Sequence, residues 1–185
     1  MNIELENYLI TKYPKILSYN DDNKKHCYGL FGIECKEGWF LHLDRMFADI
    51  QSMIDYSETS YENLTHHYNK LPWYKKLLSM YKKSCYNYLR VRQTPIPQVV
   101  AVQIKEKFGT LRFYYIGGDE RITPIVDFYE SYTRYICEDC GSTVDIGSTS
   151  GWIRNVCQKH ANGSKRVIHD KDAVTLFKKY VETSK

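Results

Sequence analysis

The sequence predicts an α+β fold in which helices surround a small antiparallel sheet and a cysteine-containing module lies at the C-terminal end. Three observations support this prediction. Apolar residues recur at helical spacing in the first half of the chain, most clearly at Phe40, Leu43, Phe47, Ile50 and Ile54. Near residue 100 the pattern changes to strict alternation, which indicates strands. Cysteine and histidine then occur in two closely spaced pairs after residue 136.

Length and composition exclude several classes of protein. A chain of 185 residues is long enough for one domain with a small appendage, and 43% hydrophobic with 26% charged residues is unlike a disordered or collagen-like chain. The N-terminal segment is acidic where a signal peptide needs cations, and the longest uncharged stretch falls well short of the ~20 apolar residues of a membrane helix. We therefore expect a cytoplasmic protein with no membrane partner.

The chain divides into a body over residues 1–135 and a terminal module over residues 136–185. The body is predicted to begin with a helix that Asn2 caps and Pro14 ends. The apolar spacing described above predicts a core-facing helix over residues 39–55.

A second long helix is predicted from Pro72, a favoured first helical residue, to about residue 92. Its apolar stripe begins at Trp73, and its other face carries four lysines, Lys75, Lys76, Lys82 and Lys83. Lysines interleaved with aromatic rings are typical of nucleic-acid surfaces, in which charges contact phosphates and rings stack on bases. A solvated helical face whose tyrosines belong to the core explains the same pattern.

A β-hairpin is predicted at about residues 98–116. Apolar residues alternate on both sides of a turn at Lys107-Phe-Gly109, first at Val100, Val102 and Ile104 and then at Leu111, Phe113 and Tyr115. The hairpin supplies the small antiparallel sheet of the body.

Pro124 opens another predicted helix, which extends to about residue 136 with Ile125, Phe128, Tyr132 and Ile136 on one face. The terminal module that follows is predicted to contain short strands at 143–146 and 152–156. A last amphipathic helix is predicted from about Lys171.

The strongest chemical signal is the pair of motifs Cys137-x₂-Cys140 and Cys157-x₂-His160, whose separation lies within the roughly 15–20 residues of structural zinc sites. Two ligands on a tight knuckle point at one metal ion, and Gly141 supplies the left-handed turn that such a knuckle needs. Three thiolates and one imidazole suit Zn²⁺ and leave no open position, so the predicted role is structural. The alternative interpretation is a Cys137–Cys140 redox pair with Cys157 unrelated.

A knuckle, a hairpin and a helical turn in this order are similar to a treble clef, or more loosely to a zinc ribbon. Four basic residues surround the predicted site and suit either phosphates or an acidic protein surface: Arg154, Lys159, Lys165 and Arg166. A treble-clef nuclease would require a histidine beside an open divalent-metal site, and His169 is the nearby candidate.

The net charge of +4 conceals an uneven distribution. Residues 62–94 and 151–185 are basic, whereas residues 1–61 and 95–150 are acidic. This alternation predicts a surface with one side that faces a partner.

Three stretches of the sequence are similar to those of a known family. They are Glu37-Gly-Trp-Phe with Leu43-Asp-Arg45, the hairpin from Lys105 to Tyr115 followed by Gly117-Gly118-Asp, and the Cys-x₂-Cys-Gly, Gly151-Trp152-Ile-Arg, Cys-x₂-His block. Together they resemble a family of small uncharacterised bacteriophage and prophage proteins, over about residues 30–50 and 100–160. The resemblance implies a phage origin and a metal site, and residues 56–94 look like an insertion relative to the family.

These observations lead to three hypotheses about function. The first is a non-catalytic, zinc-stabilised phage protein that binds a host protein in the cytoplasm of the infected bacterium, in host takeover or counter-defence. The alternative is a nucleic-acid-binding zinc protein, and a second alternative is a treble-clef-type metal-dependent nuclease. The sequence contains no phosphate loop, dinucleotide fingerprint, nucleophile elbow or metalloprotease helix, which disfavours an enzyme.

Overall fold

A computed structural model of the chain describes residues 1–18, 27–76 and 94–169, together with Thr175. The helices are α1 (Ile3–Lys12), α2 (Cys27–Phe31), α3 (Phe40–Lys70) and α4 (Thr123–Tyr132), and the strands are β1 (Ile33–Glu34), β2 (Val100–Lys107), β3 (Thr110–Ile116), β4 (Gly147–Thr149), β5 (Asn155–Val156) and β6 (Arg166–Ile168). Short 3₁₀ turns occupy Glu37–Trp39, Thr133–Tyr135 and Gln158–His160. The α+β prediction is confirmed.

The first sheet has the strand order β1-β2-β3. Strands β2 and β3 form the predicted antiparallel hairpin, which turns at Phe108 and Gly109 with φ values of 54° and 78°. Left-handed angles at both turn residues match the right-handed twist of a two-residue hairpin. Strand β1 pairs in parallel with β2, with Ile33 opposite Ile104, so the sheet is mixed. Two residues are too few for an alternating pattern, and the sequence did not predict β1.

The described residues form two hydrophobic cores, which divide between Ile136 and Cys137. In the main core α1, α3 and α4 pack with the first sheet through fully or nearly fully buried side chains, including Leu9, Phe47, Leu111 and Val126. The terminal module has a much smaller core, formed by Cys137, Ile146, Val156, Cys157 and Ala161. A core of that size needs a further source of stability, which a structural metal supplies.

Helix α3 is longer than the predicted helix over residues 39–55. It buries the predicted apolar face as far as Ile54 and then Ser57, but it continues for about three and a half more turns to Lys70. These turns bury no side chain fully. Their apolar residues at helical spacing, Tyr61, Leu64 and Tyr68, are only half-buried. The helix ends because Leu71, which precedes Pro72, is extended with ψ of 137°. None of the described helices combines the length and apolarity needed to cross a membrane.

Helix α4 is shorter than the predicted helix, which extended to residue 136. It gives way at Thr133 to a 3₁₀ turn, and the buried Thr133 hydroxyl donates to Glu130 O and accepts from Leu111 N. This hydroxyl ties the end of the helix to the edge of β3. Phe128 and Tyr132 do share a face, as predicted, but that face is exposed.

Of the predicted lysine-bearing helix, the structure describes only the first turn, over residues 73–76. Trp73, predicted to begin its apolar stripe, has 76% of its surface exposed, so the ring lies in solvent rather than in the core. Lys82 and Lys83 lie outside the described residues, as does the helix predicted from Lys171, apart from the single helical residue Thr175.

The terminal module is a second sheet with the order β5-β4-β6, all antiparallel. The predicted strand at 143–146 lies instead at Gly147–Thr149, because Asp145 has a left-handed φ of 59°. The predicted strand at 152–156 is limited to Asn155–Val156, since the Thr149 side chain bonds Trp152 O and Arg154 N and so closes a longer loop. Strand β6 was not predicted.

Candidate metal centre

Four side chains from the two predicted pairs converge in the terminal module. The potential ligand atoms of Cys137, Cys140, Cys157 and His160 all lie within 4.8 Å of one another. Nδ1 of His160 is 3.6 Å from Cys137 Sγ and 3.3 Å from Cys157 Sγ, and the sulfurs of Cys140 and Cys157 are 3.9 Å apart. Within the described ranges this is the one such group of three or more potential metal ligands.

These distances are those of a zinc tetrahedron. With Zn–S bonds of about 2.3 Å and Zn–N bonds of about 2.0–2.1 Å, tetrahedral geometry places two sulfurs ~3.8 Å apart and a sulfur and a nitrogen ~3.6 Å apart. The sulfur–sulfur distance of 3.9 Å and the two sulfur–nitrogen distances of 3.3 and 3.6 Å lie close to these values, and the other pairs of ligand atoms are within 4.8 Å. The predicted cofactor is therefore confirmed as one structural Zn²⁺ site, with Nδ1 as the ligand atom of His160.

The backbone of the knuckle, residues 137–141, has the geometry that the sequence predicted. Gly141 has a φ of 74° and donates its N–H to Cys137 O at 2.8 Å, and Cys137 N donates to Ser142 O at 2.8 Å. Gly141 therefore occupies a left-handed position, which glycine adopts without steric cost.

The cysteine ligands differ in environment. Burial raises the pKa of Cys137 to about 11, although nearby backbone N–H groups oppose it, so zinc must displace a firmly held proton there. For Cys157 burial also raises the pKa, but hydrogen bonds from the His160 backbone and side chain outweigh burial and lower it to about 7. Cys137 is fully buried, whereas Cys140 is exposed.

The knuckle is anchored to the body by the 3₁₀ turn that precedes α3. Gly38 N donates to Glu138 O at 2.9 Å, and the fully buried Trp39 donates its indole N–H to Ile136 O at 3.3 Å. A Cβ on residue 38 would lie only 2.3 Å from Cys137 O. Only glycine allows the two backbones to approach this closely.

A cluster of charges lies beside the knuckle. Arg154 contacts Glu138 at 3.5 Å and Asp139 at 2.6 Å, and Lys36 contacts Asp139 at 2.6 Å. Burial raises the pKa of Glu138. Burial would raise the pKa of Asp139 too, but the hydrogen bonds from Lys36 and Arg154 lower it. Arg154, predicted to contact a partner, thus holds the two acidic residues of the knuckle.

Arg166, the other arginine predicted to contact a partner, is also engaged within the chain. Its side chain is 5% exposed, donates to Asp145 O at 2.6 Å and Val156 O at 3.0 Å, and contacts Gln158. Lys159 and Lys165 are exposed. The structure therefore separates the predicted basic fringe into two structural arginines and two solvent-facing lysines.

The two lysines of residues 73–76 also differ. Lys75 is exposed, whereas Lys76 is partly buried and donates to Asn69 O at 3.1 Å.

His169, the candidate histidine for a treble-clef nuclease, is part of a hydrogen-bonded network. Its Nε2 lies 2.8 Å from both Ser148 Oγ and Asn155 Oδ1. Burial lowers the pKa of His169, and Arg134 lowers it further. Asn155, itself 2% exposed, donates to Gly109 O at 2.6 Å and so connects the network to the β2–β3 turn. The ring of His169 thus bonds side chains of β4 and β5, the antiparallel pair of the terminal module.

Sequence reasoning missed Gly38, Lys36 and Asn155 as parts of the site. Each contacts a residue that is distant in the sequence, and no spacing rule relates them to the cysteines. The sequence feature that could have identified Gly38 is its position within one of the three stretches that resemble the phage protein family.

A cleft of about 470 Å³ lies between the start of α3, α4 and the knuckle. Its lining includes Leu41, His42, Arg45, Tyr129 and the ligand Cys140.

Beside the cleft, three rings form a continuous aromatic strip, which consists of Phe128, Tyr132 and Tyr135. Neighbouring ring centroids in the strip lie 5.7 and 6.0 Å apart.

Comparisons of the chain with protein-family models, curated proteins and solved structures found no match.

Proposed function

We propose that this chain is a non-catalytic, zinc-stabilised bacteriophage protein that binds a host protein in the cytoplasm of the infected cell, in host takeover or counter-defence. The observation that carries the proposal is the aromatic strip. Tyrosine and phenylalanine are enriched in protein interfaces because they bury a large area at a low cost in side-chain entropy. The strip supplies such an area on the surface of the chain.

The strip is both accessible and ordered. Phe128, Tyr132 and Tyr135 are 57%, 43% and 39% exposed. The ring of Tyr132 lies between those of Phe128 and His42, nearly parallel to both, with interplanar angles of 20°. Rings that are already held in place lose less freedom on binding, which favours affinity.

The charges near the strip favour a protein partner over a nucleic acid. Its exposed neighbours in the sequence, Asp127 and Arg134, have opposite signs. A surface for a polyanion would instead be lined by cations.

The zinc site supports a non-catalytic role. Four protein ligands complete the tetrahedron, whereas catalytic zinc retains a position for water or substrate. The metal therefore stabilises the module that holds one end of the strip, where Tyr135 contacts His169 with ring centroids 6.0 Å apart.

The phage origin is supported by the resemblance of the three sequence stretches. Residues of those stretches take part in contacts between the two cores, since Gly38 contacts the knuckle and Gly109 contacts Asn155. If the three stretches define one fold, we expect their residues to lie close together in the structure.

The experiment is an affinity capture of host proteins with the wild-type chain, with Tyr132→Ala and with the control Tyr56→Ala. Tyr56 is 74% exposed on α3, so its loss removes an exposed ring elsewhere. We expect one host protein to be retained by the wild type and the control, and its recovery to fall at least tenfold with Tyr132→Ala, as expected for an interface hot spot of about 1.4 kcal/mol or more. Equal recovery with all three chains, or no retained host protein, would contradict the proposal.

A second candidate, nucleic-acid binding, is favoured by one observation. Trp73 and Tyr74 are 76% and 49% exposed next to the exposed Lys75, so rings and charge are both available to a single strand. A mobility-shift titration at several salt concentrations tests it. Affinity should fall with salt and should fall further with Trp73→Ala, and affinity that is independent of salt would eliminate this candidate.

A further inference from the structure

The three thiol ligands of the zinc site are not equally accessible to an oxidant. Cys137 is fully buried and Cys157 is 8% exposed, whereas Cys140 is exposed and lines the cleft beside α3. A zinc-bound thiolate remains deprotonated and nucleophilic. A small oxidant that enters the cleft therefore meets Cys140 first.

A second sulfur of the cluster, Cys157 Sγ, is well placed to resolve an oxidised Cys140. Cys157 Sγ lies 3.9 Å away, so a disulfide of about 2.05 Å requires the two sulfurs to approach by ~1.9 Å. Cys137 is held in the knuckle, where its own N–H and C=O bond Ser142 and Gly141, and its side chain is fully buried.

We propose that the zinc site is sensitive to oxidation by hydroperoxides. Oxidation joins Cys140 to Cys157, releases the metal and weakens the contact between the knuckle and Gly38. This modification goes beyond the binding function and does not depend on it.

The chemistry balances with a hydroperoxide as the two-electron oxidant. The Cys140 thiolate attacks the O–O bond, which breaks to give a sulfenic acid and an alcohol, or water from hydrogen peroxide, after one proton is taken from solvent. The Cys157 thiolate then attacks the sulfenic sulfur, the S–S bond forms, and the oxygen leaves as water with a second proton. Cys137 and His160 would then be the only two ligands left for Zn²⁺, too few to hold a structural ion.

Release of the metal acts on the body where the knuckle contacts Gly38. The Gly38 N–H bond to Glu138 O depends on the shape of the knuckle, which the four ligands hold. Once two ligands are joined to each other, residues 36–39 lose the surface on which they are packed.

The test is a titration of the zinc-loaded full chain with hydrogen peroxide. Released zinc is followed with a chromogenic chelator, and disulfides are mapped by mass spectrometry of peptides. We expect one Cys140–Cys157 disulfide per released zinc ion, together with faster amide exchange at residues 36–39. Zinc release that precedes any disulfide, or a disulfide that includes Cys137, would overturn the proposal.

Two variants sharpen the test. Cys140→His keeps four zinc ligands but removes the exposed thiol, so zinc release by peroxide should slow at least tenfold. Cys35→Ser removes a buried thiol outside the site, whose pKa burial raises to about 12, and should leave the rate unchanged. A Cys140→His chain that releases zinc at the wild-type rate contradicts the proposal. If that chain binds no zinc, the disulfide map of the wild type decides.

Discussion

Gly38 and Glu138 lie 100 residues apart in the sequence, yet the N–H of Gly38 donates to the carbonyl oxygen of Glu138 at 2.9 Å. A Cβ on residue 38 would lie 2.5 Å from that oxygen and 2.6 Å from Gly141 N. Both neighbours are backbone atoms, so a side chain cannot be accommodated by a change of rotamer. The contact joins the helical body to the metal centre.

Gly38→Ala should therefore destabilise the chain by about 1–3 kcal/mol or more, because the knuckle must move away from the body. Chemical denaturation of the zinc-loaded protein measures the loss. Gly151→Ala is the comparison, since a Cβ there meets nothing within 4 Å and only its left-handed φ of 83° adds strain, about 1–2 kcal/mol. A loss no larger than that of Gly151→Ala would show that the close approach is unimportant.

Removal of zinc should destabilise more than the terminal module. Chelation, or Cys137→Ser, should increase amide exchange over residues 137–165 and also over residues 36–39, because Gly38 and Trp39 donate to backbone carbonyls of residues 136–138. Exchange measured by mass spectrometry with and without chelator tests both ranges. Unchanged exchange at 36–39 would indicate that the body holds this turn without the metal.

The sequence predicted the ligands and the hairpin because their signals are local. The cysteine spacing, the alternation around Phe108 and the spacing of residues 40–54 each lie within a short window. The second half of α3 carries only a weak period, Tyr61, Leu64 and Tyr68, whose side chains are half-buried, and β1 is only two residues long. Neither signal is strong enough to predict its element from pattern alone.

The surroundings of the metal could not be predicted for a related reason. The sequence alone does not distinguish Arg154 and Arg166 from exposed arginines. Only the fold reveals that Arg154 contacts Asp139 and that Arg166 contacts Asp145 O. Phe128 and Tyr132 were placed correctly on one face of a helix. Which face is buried depends on where α3 and β3 pack, and the aromatic strip is visible only once that packing is known.

Asn155 links the two cores through its amide. Its Nδ2 donates to Gly109 O at 2.6 Å, and its Oδ1 lies 2.6 Å from Ser148 Oγ. Asn155→Asp has the same shape but directs an oxygen at the Gly109 carbonyl in a nearly fully buried position, so we expect a loss of about 2–4 kcal/mol in the free energy of unfolding.

The matched control for that change is Asn63→Asp on the exposed face of α3, which should alter stability by less than about 0.5 kcal/mol. Thermal unfolding at neutral pH compares the two. Similar melting temperatures for both variants would refute the role of Asn155.

His42 should make stability depend on pH. Its Nε2 lies 2.8 Å from Tyr129 O, its ring packs against those of Tyr129 and Tyr132, and Arg45 and Asp139 line the same cleft. Burial lowers the pKa of His42, and its hydrogen bond to the carbonyl opposes this only in part. The unfolded chain therefore binds a proton at a higher pH than the folded chain, so stability is greatest above about pH 6.5 and falls as the pH falls towards the folded pKa.

His42→Gln removes this titration and should make the pH dependence of unfolding below about pH 6.5 less steep than that of the wild type. His66→Gln is the matched control, since His66 lies on the same helix but is exposed and should leave the slope unchanged. Denaturation with urea at a series of pH values gives the slopes, and zinc content measured at each pH excludes loss of the metal as their source. A slope of equal size in all three chains would assign the pH dependence to groups other than His42.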